Sequence, residues 1–209
     1  VPPEPQLHKD GARGGLRQVL AMPALLRLNL GVFVLHAVQL AMWVAVPALL
    51  VQAGLDKDHH WQVYLPAVLA SFVVLGGVFA AERRGYLRAA FLSAIGLITL
   101  VQVALFWVSS GAPTLTVLAW LLFAFFCGFN ALEATQPSLA SRIAPASSRG
   151  AAMGVYNTLQ SLGFFAGGWL GGQLVKGYGT QGLFLTCAAL MLMWLALAWP
   201  MVAPGRSTG

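Results

Sequence analysis

Six apolar stretches, each about 20 residues or longer, fill most of this 209-residue chain and leave only short loops between them. They lie at about residues 28–52, 61–81, 88–109, 114–137, 150–175 and 181–203. At ~1.5 Å rise per residue, a helix of ~20 residues spans the ~30 Å hydrocarbon layer of a bilayer. Lipid offers the peptide groups no water to bond, so each crossing must satisfy its own backbone, as a helix does. The pattern predicts an all-α, polytopic membrane protein with six transmembrane helices. Charged residues make up only 9% of the chain, against roughly a quarter in soluble domains.

The net charge of +6 does not point to nucleic acid, because of where the charges fall. Lys9, Arg13, Arg17 and Arg27 precede the first stretch; Arg83, Arg84 and Arg88 lie between the second and third; Arg142 and Arg149 lie between the fourth and fifth; Arg206 follows the sixth. The opposite side has only Lys57 and Lys176. Basic residues concentrate on the cytoplasmic side of membrane proteins, so both termini are expected there. Residues 1–27 read as a cytoplasmic linker and 204–209 as a cytoplasmic tail. Within the linker, residues 16–28 mix basic and apolar side chains like a helix lying on the membrane surface, with Pro23 to start or kink it. Cys127 and Cys187 both fall inside apolar stretches, so no disulfide framework is implied.

The chain carries an internal repeat with a shift of 92 residues. Val63-Tyr64 falls on Val155-Tyr156, Phe72 on Phe164, Gly76 on Gly168, and Arg84-Gly85-Tyr86 on Lys176-Gly177-Tyr178. Pro47 and Pro137 stand near the ends of the first and fourth stretches. Three crossings per repeat is an odd number, so the second triplet runs inverted with respect to the first, as in many secondary transporters.

The segment FNALEATQPSLASRIAPASSRGAAMGVYNTLQSLGFFAGGWLGG, residues 129–172, and the loop AERRGYLR, residues 81–88, resemble the C-terminal half of a major facilitator superfamily transporter of the bacterial multidrug-efflux-like branch. Glu133, Pro137, Arg142 and Arg149-Gly150 follow the family's tenth-helix pattern. The loop carries Glu82 where Asp is usual and Tyr86 where a basic residue is common. The resemblance implies a bacterial inner-membrane location and half of a secondary transporter, with proton-coupled export of small amphipathic molecules. The family has twelve helices in two halves around a central cavity, and this chain has one half. The expected partners are the bilayer, a second six-helix half or another membrane protein subunit, and a small-molecule substrate. The alternative is a half-size protein that no longer transports and serves as an accessory subunit of a larger membrane complex.

An ionisable group inside hydrocarbon costs at least ~2.5–3.5 kcal/mol and needs a reason. Glu133 is expected near the cytoplasmic end of its helix, within reach of Arg142, Arg83 or Arg88. There it either joins Glu82 in a charge cluster clamping helix ends or carries a proton. His36 is expected near mid-membrane, where it bonds a neighbouring helix or couples proton movement to transport, since histidine titrates near neutral pH. Gln39 follows it at i+3, and Asn157 and Gln160 form a second i,i+3 pair. The resemblance makes His36, Gln39, Asn130, Asn157 and Gln160 the candidates for the substrate cavity. Their other reading is interhelical hydrogen bonding. Gly163, Gly167 and Gly171, with Gly168 and Gly172, repeat at a spacing that lets helices approach closely, and they read as packing residues. Asp56, Asp58, His59 and His60 read as a solvated loop, because adjacent histidines are poorly spaced for a shared metal. No Walker spacing, CxxC pair or catalytic triad occurs, so neither a cofactor, a metal nor an enzyme activity is expected.

Overall fold

The computed structural model describes residues 9–201, with side chains from residue 15. The proposed tail at 204–209 and the first eight residues lie outside that range, as does the side chain of Arg206. Among the described residues the chain is helical: α1 (Lys9–Ala21), α2 (Pro23–Gln52), α3 (Trp61–Arg83), α4 (Leu87–Val108), α5 (Leu115–Ile143) and α6 (Arg149–Ala198), with short 3-10 turns at Lys57–His59 and Ala146–Ser148. Helices α2 to α6 are each long and apolar enough to cross a membrane.

Three helix boundaries differ from the sequence reading by five residues or more: the last crossing ends at Ala198 rather than 203, and the other two differ for a proline reason. Helix α2 starts at Pro23, five residues early, because Met22 is extended and Pro23 occupies the first turn. Proline fits there, with φ already set and no N–H needed. Helix α5 runs through Pro137 to Ile143 rather than ending at the proline. Membrane helices tolerate an internal proline because neighbouring elements can satisfy the freed backbone groups. Its start is capped by Thr114, whose Oγ1 accepts from the Val117 N–H at 3.4 Å.

Helix α6 crosses twice. At 50 residues it is more than twice the length needed, and its backbone breaks at Gly179, where φ is 68° and ψ −177°. The contacts of its two limbs show the reversal. In the first limb, 149–178, Gly163 faces Phe33, Gly167 faces Ala37 and Gly171 faces Ala41, so it runs parallel to α2. In the second limb, 180–198, the Trp194 indole lies against Gly31, and Leu197 and Ala198 share a cleft with Ala24 and Leu28. That limb therefore runs back antiparallel to α2. Five helices thus give six crossings, all with the arginine-rich loops at one end, here termed the basic end.

The inverted repeat appears in the packing. Helices α3 and α5 run side by side toward the basic end, joined by Asn130–Ser71 and Arg142–Glu82. Helix α2 and the first limb of α6 run side by side away from it. The shift of 92 residues carries the Asn130–Ser71 contact onto Val38 and Gly163, within about one turn of where Gly163 meets Phe33 and His36. Helix α4 and the second α6 limb brace the outside. Phe91 and Trp194 meet edge to face at 6.1 Å, and Arg88 donates to the Trp199 carbonyl at 2.6 Å.

Apolar burial is not what holds these helices to one another in lipid, since acyl chains are as apolar as leucine; close packing does. Gly163, Gly167 and Gly171 supply it on the α2 side. Gly168 and Gly172 correct the expectation. Nothing lies within 4 Å of a Cβ added at either, because one residue along a helix turns the side chain by about 100°. Large apolar side chains face outward as a membrane requires: Val73 is 80% exposed, and Leu69, Phe165 and Trp169 are also exposed. Helix α1 sits across the basic end. Its Val19 is buried with Leu25, Ala144 and Ala152, while Leu16 and Leu20 remain exposed.

Candidate functional site

The centre of the bundle holds a histidine in an aromatic and polar cage. His36 is 0% exposed. Its ring meets Phe164 edge-on at 4.7 Å and Phe129 at 5.9 Å. Its Nδ1 lies 2.7 Å from the Val32 carbonyl one turn earlier. A carbonyl only accepts, so Nδ1 carries a hydrogen. Nε2 then points at two groups: Gln160 Nε2 at 2.9 Å and Glu133 Oε1 at 3.0 Å.

That arrangement has a chemical consequence. In neutral His36, Nε2 is a bare acceptor. It accepts well from the Gln160 amide, but it also sets a lone pair against a carboxylate oxygen. The 3.0 Å approach is favourable when a proton lies within the pair, either on Glu133 or on Nε2. The Glu133 contact is short but bent, and Oε1 has no aligned hydrogen-bond partner among the described residues. The trio thus places a carboxylate oxygen and a neutral amide each within 3.0 Å of one imidazole nitrogen.

Gly163 is what lets Gln160 reach. A Cβ there would stand 2.5 Å from the Phe33 carbonyl oxygen and 3.1 Å from His36 Cβ. Contacts that short are not tolerated, so the close approach of α6 depends on the missing methyl. Pro137 adds a local feature on α5. With no N–H, it leaves the Glu133 backbone carbonyl without its usual helical donor.

The position of Glu133 corrects the sequence reading. It stands ten residues before the end of α5 at Ile143, ~15 Å inside, and faces His36 rather than the basic end. Two of the three arginines expected near it, Arg142 and Arg88, have other partners. Arg142 donates to Glu82 Oε1 at 2.7 Å, and Arg88 is committed to Trp199, lying over its ring at 5.9 Å as well. The charge clamp at the basic end is Glu82–Arg142, joining α3 to α5, and Arg149 donates to the Ser141 carbonyl at 3.1 Å.

Of the five expected cavity residues, the structure brings His36 and Gln160 together. The other three lie within one turn of the trio. Gln39 is at i+3 from His36, with its Oε1 buried and unpartnered; Asn157 precedes Gln160 by three residues and is exposed; Asn130 precedes Glu133 by three and donates to Ser71 at 2.7 Å. Ser71 was not among the expected residues. An apolar cleft of about 530 Å³ between the starts of α3 and α5, lined by Val63, Pro66, Leu115 and Phe123, contains none of the five. In the first loop, Asp56, Asp58 and His59 are exposed, but His60 is buried. Its Nε2 donates to the Leu55 carbonyl at 3.2 Å and its ring packs on Tyr64. It staples the loop rather than solvating it.

Comparison with known proteins bears on what such a bundle is. A family model described as Major Facilitator Superfamily matches residues 28–208. The chain is 38% identical over 193 residues to the inner membrane transport protein YajR of Escherichia coli (strain K12), covering 92% of this chain and 42% of that protein. It is 33% identical over 141 residues to an uncharacterized transporter of Buchnera aphidicola subsp. Acyrthosiphon pisum (strain APS), covering 68% of this chain and 36% of that protein. The chain spans less than half the length of these curated relatives. With six apolar crossings, an inverted repeat and a family match over most of its length, the chain belongs to the Major Facilitator Superfamily, a family of membrane transporters rather than enzymes.

Proposed function

We propose that this six-crossing unit is half of a proton-coupled secondary transporter that exports small amphipathic molecules across a bacterial inner membrane, with the basic end and both termini in the cytoplasm. The observation that carries this reading is the trio of fully buried His36 with the partly buried Glu133 and Gln160. An ionisable pair at mid-depth is expensive in hydrocarbon and is kept where charge or protons move. Protonation at the pair changes a contact joining α2, α5 and α6. Transport by rocking of one half against another requires a bistable contact of this kind. The second half and the substrate complete the proposal. The relatives' printed names support transport as such.

The test uses the whole native protein in inverted membrane vesicles, with efflux of a fluorescent cationic dye driven by an imposed pH gradient. His36→Ala and Glu133→Gln are each expected to reduce proton-driven flux at least about tenfold, equivalent to about 1.4 kcal/mol in the rate-limiting step. Unchanged flux in both variants refutes the coupling role. The non-transporting accessory subunit predicts no flux in the parent protein either.

A further inference from the structure

Beneath the trio, on the side of the basic end, lies a second polar layer that the coupling reading does not use. The same three helices each contribute one member. Asn29 stands seven residues before His36 on α2, Gln136 three residues after Glu133 on α5, and Tyr156 four residues before Gln160 on α6. Those spacings return each side chain to roughly the helix face of its trio partner. All three are displaced toward the basic end, by ~4.5 to ~10.5 Å. Asn29 is 2% exposed, Gln136 0% and Tyr156 3%. Both side-chain polar atoms of Asn29, both of Gln136 and the hydroxyl of Tyr156 lack a hydrogen-bond partner among the described residues. Tyr156 lies within electrostatic range of Glu133.

Buried polar groups without partners are costly, and native proteins satisfy them with ordered water where the site is polar. Five such atoms stand on the three helices that carry the imidazole–carboxylate pair, each on roughly the face of its trio partner. Apolar substitution would pack these positions at less cost. We propose that Asn29, Gln136 and Tyr156 hold a short file of water that conducts protons between the basic face and the His36–Glu133 pair. This rests on the proton-coupling reading of that pair.

The chemistry is simple proton transfer. A hydronium in the file gives its proton to the Glu133 carboxylate and becomes water, and the reverse step empties the site. The amides order the water, since each offers donors and an acceptor, while the Tyr156 hydroxyl accepts one hydrogen bond and donates another. The charged groups nearest the file lie at its basic end, Arg27 only two residues before Asn29. Arg27 and Arg149 are exposed at the ends of α2 and α6, Arg142 is held by Glu82, and α3 brings Glu82 and Arg83 only to its basic end.

The experiment is a pH jump on the purified whole protein, followed by time-resolved infrared absorption of the protonated carboxyl band that Glu133→Gln removes. Three near-isosteric variants are compared with the parent: Asn29→Leu, Gln136→Met and Tyr156→Phe. Protonation is expected to slow about tenfold or more in at least the first two, about 1.4 kcal/mol of barrier, with the final extent of protonation unchanged. Tyr156→Phe removes one oxygen and keeps the packing, so it remains informative if a larger change fails to fold. Unaltered rates in the folded variants, with the band still titrating, overturn the path while leaving the coupling site intact. A change in extent without a change in rate assigns the three residues a structural role and also overturns it. Absence of any pH-dependent carboxyl band in the parent overturns both readings.

Discussion

The seam between α2 and the first limb of α6 makes a sharp prediction about two adjacent glycines. A Cβ placed on Gly167 meets the Ala37 carbonyl oxygen, the Ala37 Cα at 2.7 Å and its carbonyl carbon at 2.8 Å. Ordinary contact begins near 3.4 Å, so the methyl overlaps backbone by about 0.7 Å, and backbone cannot swing aside as a side chain can. Gly168→Ala places the same methyl where nothing lies within 4 Å. Both substitutions gain the same helix propensity, about 1 kcal/mol relative to glycine, so their difference isolates the clash. Overpacking of this kind costs about 1–3 kcal/mol. Gly167→Ala should therefore be less stable than Gly168→Ala by about 1–3 kcal/mol, measured as unfolding of the purified protein in mixed detergent micelles. It should also loosen the Gln160 approach to His36, read as a change in the histidine ring resonances by NMR that Gly168→Ala does not produce. Equal stabilities for the two variants would show that α6 does not pack on α2 along this stripe.

Further outcomes follow from single contacts. Gly179→Ala forces a side chain into a positive-φ, extended-ψ backbone that is essentially glycine's alone, costing about 1–3 kcal/mol; thermal unfolding should detect it, and Gly177→Ala, with open space and no such backbone, should not show it. A double-mutant cycle on Glu82 and Arg142 should give a coupling of about 0–1 kcal/mol that shrinks with added salt, because the arginine is half exposed. The same cycle on Asn130 and Ser71, joined at 2.7 Å, should give about 0.6 kcal/mol and little salt dependence. A coupling above about 2 kcal/mol would mean that this bond has no substitute partner in the unfolded, membrane-inserted chain.

Hydropathy alone exposed the crossings, because in lipid length and apolarity are direct physical requirements rather than correlations. The 92-residue shift showed two inverted triplets, but only the structure shows that α2 packs on α6 and α3 on α5 as equivalent pairs. Distance along α5 put Glu133 toward the cytoplasmic end, where arginines were the natural partners. Which neighbouring helix it faces is not written in its own segment, and the fold turns it to His36 instead. Asn29 and Gln136 went unnoticed because neither forms an i,i+3 pair with an amide or histidine of the kind that drew attention to His36–Gln39 and Asn157–Gln160. Their meaning appears only once α2, α5 and α6 are known to meet. Gly168 and Gly172 share their neighbours' spacing, yet only contact geometry shows which stripe faces a helix.

The duplicated scaffold does not duplicate its chemistry. The position equivalent to His36 in the second triplet is Gly128, and the position equivalent to Glu133 in the first is Ala41. Gly128 instead receives Ile98 and the Ala94 carbonyl, so its place in the pattern is filled by the bracing helix α4. Symmetry in the fold therefore coexists with a stoichiometry of one imidazole–carboxylate couple per bundle. Any second ionisable couple in a complete carrier has to come from outside these six crossings.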